Sequence, residues 1–172
     1  MSEEQNEIPG ASAAPANEAR FQLQKIYVKD VSFELPSAPQ IFQEEGAAEV
    51  KLNLSQRVNN IQDGIFEVVL TVTVTATTAE KTAYLAEVHQ AGLFAISGLD
   101  DAQQAAVLNT LCPHSLFPYA SRTITDLVAS GGFPPLVLQP INFEQVYQQR
   151  LREAQQAQQS AAQGDMEVQG NA

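Results

Sequence analysis

Cysteine is nearly absent from this 172-residue chain. Cys112 stands alone, so no disulfide can form within the chain and a reducing compartment is expected. Basic residues are scarce as well, nine Lys and Arg against 20 Asp and Glu, for a net charge of −11. That field repels phosphate backbones and disfavours nucleic acid as a partner. It favours a basic protein surface, although the same charge also serves plain solubility. Long apolar runs are missing too, with nothing near the ~18–20 continuous apolar residues of a membrane span. The start, Met1-Ser2-Glu3-Glu4-Gln5, is acidic where a signal peptide is basic. A soluble cytoplasmic protein, not inserted into a membrane, is expected.

Catalytic vocabulary is equally thin. His89 and His114 have no carboxylate or thiol at a motif-like spacing, and Cys112 sits in Leu-Cys-Pro without a second cysteine nearby. A buried, inert thiol is the simpler reading. The nucleophile elbow, the phosphate-binding loops and the zinc-protease helix motif have no counterpart. Asp100-Asp101 reads more simply as a helix cap than as a metal pair. No enzyme activity, cofactor or metal is expected, and a binding protein is favoured over an enzyme with a site assembled from scattered residues.

What is present is a body between two low-complexity ends. Residues 1–19 are rich in Glu, Ala, Pro and Ser and read as a disordered acidic arm. Residues 155–172 read as a flexible Gln-rich tail. Between them, 20–154 form the expected folded domain. Phe21 and Leu23 share one parity, Ile26 and Val28 the other, and Val31, Phe33 and Leu35 return to the first. A strand cannot change face without a bulge, so a long, kinked first strand is predicted. Val50, Leu52 and Leu54 alternate with polar neighbours as a second strand, and Asp63-Gly64 marks a hairpin.

The third strand is the clearest: Phe66, Val68, Leu70, Val72, Val74 and Ala76 face one side and a row of threonines the other. A fourth runs from Thr82 to Ile96. Helical spacing follows, from an Asp100 cap to Pro113, from about Pro118 to Gly131-Gly132, and from an Asn142 cap onward. Strands first and helices after give an α+β fold with helices on one side of the sheet.

In order along the chain, Ile26-Tyr27-Val28-Lys29-Asp30-Val31-Ser32-Phe33-Glu34, Glu49 to Leu54, Phe66 to Ala76, Leu116-Phe117-Pro118-Tyr119-Ala120 and Pro140-Ile141-Asn142-Phe143 resemble the SecB family. The resemblance covers about residues 21–151. It implies a four-stranded antiparallel sheet with helices packed on one side, assembled as a dimer of dimers. It also implies an ATP-independent chaperone that binds unfolded precursor proteins and delivers them to SecA for export. Carried over by position, Asp30, Glu34, Leu85 and Glu87 are the expected SecA-binding residues. Leu52, Leu54 and Tyr147 are the expected client groove, and Ala86, Val88 and Gln90 the expected subunit interface. A SecB-like chaperone dedicated to an antitoxin is the alternative within binding proteins, and the retained acidic set argues against it.

Overall fold

The computed structural model describes residues 18–168. The acidic arm expected over residues 1–19 lies, apart from its last two residues, outside the described residues. Four strands, β1 (Arg20–Glu34), β2 (Glu49–Gln62), β3 (Ile65–Thr78) and β4 (Lys81–Ser97), form one sheet of order β1-β4-β3-β2. All three pairings are antiparallel. The kinks expected in the first strand are present: the β1–β4 register shifts between Leu23 and Lys25 and again between Val28 and Asp30. Each shift takes up one extra residue and reverses the parity of the strand residues beyond it.

Asp63-Gly64 turns β2 into β3, with Gly64 at φ 70°. The β3–β4 turn places Ala79 at φ 48° and Glu80 at φ 62°. Two successive left-handed residues are the geometry that Asn-Gly adopts most readily, and alanine and glutamate are strained there. Replacing both, Ala79→Asn with Glu80→Gly, is expected to raise unfolding stability by about 1 kcal/mol. Urea midpoints check this, and an unchanged or lower midpoint would count against the strain. The long β1–β2 connection spans the end of the sheet and is fastened there. Phe42 stacks 5.3 Å from Phe133, Phe133 lies 5.0 Å from Tyr84, and Glu44 pairs with Lys81 at the β3–β4 turn.

Three helices follow: α1 (Asp101–Asn109), α2 (Leu111–Ser130) and α3 (Phe143–Val168). The α1 cap is the expected one, Asp100 accepting from the Gln103 amide at 2.8 Å and Gln103 accepting from the Asp100 amide at 3.1 Å. Asn142 caps α3 in the same way, through the Gln145 amide at 3.0 Å. Between them the proline reading needs correction. The break falls at Thr110, and α2 contains both Pro113 and Pro118. Pro113 sits in the first turn, where no helical N–H is required. Pro118 is internal and costs a backbone bond, but Cys112, Leu116, Phe117, Ala120, Ile124 and Val128 around it are buried on the sheet. Burial at about 1.5–3 kcal/mol per large side chain outweighs one lost bond. The last helix continues to Val168, through most of the stretch expected as a flexible Gln-rich tail, whose last four residues lie outside the described residues.

The core lies between α2 and one sheet face. Val68, Leu70, Val72 and Val74 of β3 and Ala86, Val88, Phe94 and Ile96 of β4 meet the α2 stripe, as the third strand's parity requires. Gly92 sets how closely α2 approaches. A Cβ there would lie 2.9 Å from the Leu116 side chain and 2.8 Å from Phe94. No helix among the described residues is long and apolar enough to cross a membrane.

Candidate functional site

Among the described residues no helix lies over the opposite face of the sheet, and the strand register decides what it presents. Glu34 pairs with Leu85, Ser32 with Glu87 and Asp30 with His89. On the other side of β4, Thr75 pairs with Leu85, Thr73 with Glu87 and Thr71 with His89. Directly paired residues share a face, so Asp30, Glu34, Leu85 and Glu87 stand together on the open face. Asp30 and Glu34 are exposed, while Leu85 and Glu87 are half-buried. Glu34 thus stands directly across from Leu85, Glu87 lies next but one to it on β4, and Asp30 continues the acidic row beside His89, on a threonine-lined surface.

Glu87 is held firmly. Thr73 Oγ1 donates to its Oε2 at 2.7 Å, and His89 Nε2 lies 2.9 Å from Oε1. The Thr73 hydrogen bond, and then that from His89, lowers the Glu87 pKa below the ordinary carboxylate value and keeps it charged. Thr71 Oγ1 stands 3.4 Å from the other ring nitrogen of His89. These threonines are the polar parity of β3, so the pattern that reads as a wet sheet face also orients the acid. Beside them Ser55, Gln56, Arg57, Val69, Thr71, Glu87 and His89 line a cavity of about 370 Å³.

A further carboxylate on this face is nearly closed off: the Glu67 side chain is 8% exposed. Lys29 Nζ contacts its Oε1 at 2.7 Å, the Tyr27 hydroxyl donates to the same oxygen, and Asn59 Nδ2 donates to Oε2 at 2.8 Å. The Lys29 hydrogen bond, followed by those from Tyr27 and Asn59, holds the Glu67 pKa at about 2. Burial, and then the bond to Glu67, pushes the Tyr27 hydroxyl the other way, to about 12. The network spans the sheet from β1 to β2 over the small Ala91 of β4, which pairs with both Tyr27 and Val69. None of its members stands out as a site residue in the sequence. The only trace is the parity change around Lys29.

The remaining expected residues fall elsewhere. Ala86, Val88 and Gln90 do lie on the face opposite Leu85 and Glu87, but that face is occupied by the chain's own α2. Ala86 and Val88 are fully buried in the intrachain core. Their side chains have no exposed surface in the chain described. Gln90, 2% exposed, donates from Nε2 to the Tyr27 carbonyl at 2.9 Å; its Oε1 has no partner among the described residues.

Leu52 and Leu54 share the helix-side parity of β2. Because α2 packs mainly on β4 and β3, Leu52 stays 42% exposed, and Val50 and Val58 are exposed beside it. Leu54 is half-buried against the core. Tyr147 is carried by α3, which packs chiefly on α1 and α2, and Gln56 Nε2 ties β2 to the end of α1 through the Leu108 carbonyl at 2.8 Å. Cys112 is buried in α2, and burial pushes its thiol up to about 12, which leaves it unreactive at neutral pH. Among the described residues no three His, Cys, Asp or Glu side chains converge as metal ligands.

The architecture defines a one-sided α+β sheet that offers two distinct surfaces, an acidic open face and a partly bare apolar edge on the helix side. A family model described as the preprotein translocase subunit SecB matches residues 14–154. The protein-export protein SecB of Xanthomonas campestris is 49% identical over 170 residues, covering 97% of this chain and 99% of its own. That of Stenotrophomonas maltophilia is 49% identical over 169 residues, covering 96% and 98%. A Mycobacterium tuberculosis SecB-like chaperone, solved with a peptide from an antitoxin, has the same fold. Its TM-score is 0.60 at 21% identity, over 71% of this chain and 91% of that one. The chain belongs to the SecB family, and its function is that of a chaperone for preprotein export.

Proposed function

We propose that the chain works as an ATP-independent holdase of the cytoplasm, without enzymatic turnover. In this reading it binds unfolded precursors on its apolar helix-side edge and docks SecA on its open acidic face, as a dimer of dimers. One observation supports the division most: the register puts Asp30, Glu34, Leu85 and Glu87 on the face that α2 does not touch, opposite to Leu52 and Leu54. A partner and a client can then be held together without competing for one surface. Charge on the open face speeds and orients the approach of a basic partner, and Leu85 contributes apolar burial.

Client binding in this reading is broad because it rests on area and not on a tailored pocket. Covering ~600–1,000 Å² of client apolar surface is worth roughly 15–25 kcal/mol before ordering costs, which remove much of it. Several linked subunits then hold one long chain by avidity. Tyr147, carried by α3, adds a further contact for the same client.

Three measurements test the reading. A several-fold excess of the protein should slow aggregation of an unfolded precursor without ATP; an unchanged rate would refute holding. Leu52→Glu, at an exposed position, should weaken client binding about tenfold, as loss of a buried leucine plus a desolvated charge implies. SecA affinity should stay within about twofold. Equal client binding by both proteins would remove Leu52 from the groove. Light scattering should give the mass of four chains.

A further inference from the structure

The acidic set on β1 reaches the open face only because the strand carries an extra residue. Tyr27 pairs with Ala91 and Val28 with Gln90, but the next β4 residue, His89, pairs with Asp30 and not with Lys29. Paired without the shift, Lys29 would face His89. Asp30 and Glu34 would then turn under the helices, and Val31 and Phe33 would turn to the open side. A bulge disrupts the ladder locally, and this one is gripped from both sides of the sheet. On the open side Lys29, the extra residue itself, is fixed on Glu67 at 2.7 Å. On the helix side the buried Gln90 donates to the carbonyl of Tyr27, two residues before it, at 2.9 Å.

We propose that Lys29, Glu67 and Gln90 form a clamp on this bulge and are positioning residues for the acidic face. They do not meet the partner; they set the register that presents Asp30 and Glu34 beside Leu85 and Glu87. Glu67 is placed to do so because Asn59 anchors it to β2 while Tyr27 and Lys29 reach it from β1. The pair also takes up the one ammonium group next to Asp30 in sequence, so the face keeps its negative character. The functional part of the inference rests on the docking role proposed for this face, whereas the register part does not.

The test compares Lys29→Met with deletion of Lys29. Both leave Glu67 without its ammonium, so the cost of that loss is common to the two. Methionine keeps the extra residue and removes its clamp. Deletion removes the extra residue, so Asp30 follows Val28 and regular pairing with His89 keeps the acids in place. The substitution is therefore expected to weaken SecA binding about tenfold or more, and the deletion to stay within about threefold of the unaltered protein. Client holding should be unchanged in both.

A second readout needs no SecA: cysteines at Ser32 and Glu87, directly opposed, are oxidised in each background while Cys112 stays buried. The cross-link should form in the unaltered register and in the deletion, and fall in Lys29→Met. Equal yields in all three backgrounds, or equal losses in both variants, would overturn the clamp. Failure of the unaltered protein to bind SecA would sink the docking role instead, with the cross-link still deciding the register.

Discussion

Reversing the charge at Glu87, as Glu87→Lys, is expected to abolish useful binding to SecA while leaving the fold and client holding intact. The side chain is half-buried, already oriented by Thr73 and His89, and next but one to Leu85 on the same face. Its entropy of ordering is therefore largely spent before a partner arrives. Lysine removes one attraction and adds a repulsion at the same point. For a charge pair at a partly desolvated contact that is worth ~2–4 kcal/mol, or about 30- to 1,000-fold in affinity. Glu87→Gln keeps an acceptor for Thr73 and loses only charge, so it should fall between the two. Calorimetry or surface binding at fixed ionic strength measures this, and the unaltered protein should lose affinity more steeply with salt. Equal affinity of Glu87→Lys and the unaltered protein would remove Glu87 from the docking surface.

The second large effect concerns stability in acid. Glu67 titrates at about 2 in the fold against an ordinary value of 4.5. Its folded pKa is depressed, so the unfolded chain takes up the proton more readily. The resulting stability is fully present above pH 4.5 and is lost as pH falls from 4.5 towards 2. A difference of this size corresponds to about 3 kcal/mol, and residual water on the open face makes that an upper value. Glu67→Gln should therefore be less stable by about 2–3 kcal/mol at pH 7, with the gap closing as pH approaches 2. Urea unfolding at a fixed chain concentration, needed wherever subunits assemble, gives both numbers. A gap that stays constant from pH 7 to pH 2 would show that the carboxylate is not the stabilising species.

Much of this architecture is legible in the sequence, because its signals are local. The two parity changes in β1 are the two register shifts, and Asp63-Gly64 is the turn it reads as. The apolar and threonine parities of β3 become the covered and open faces, and both helix caps sit where Asp100 and Asn142 announce them. The misreadings arise where tertiary packing overrides a local rule. Pro113 and Pro118 are punctuation by propensity, but the α2 stripe that buries Cys112, Leu116 and Ile124 carries the helix through both.

The candidate site divides the same way. Strand parity alone brings Leu85 and Glu87 together, and register adds Asp30 and Glu34 from β1. The occupant of the other parity is not legible, since Ala86 and Val88 look alike whether a second subunit or the chain's own α2 lies over them. Placing Tyr147 in a groove depends on where α3 packs, and helical spacing does not encode that. The Glu67 network joins residues 27, 29, 59 and 67 from three strands, so no window of sequence contains it.

In the proposed function SecA and client use opposite sides of one sheet. Carboxyl footprinting of the protein alone, with SecA, and with an unfolded precursor tests it most directly. SecA is predicted to shield Asp30, Glu34 and Glu87 from modification, while the precursor leaves all three as reactive as in the free protein. Protection of these acids by the precursor, or their undiminished modification in the SecA complex, would contradict the assignment of the two faces.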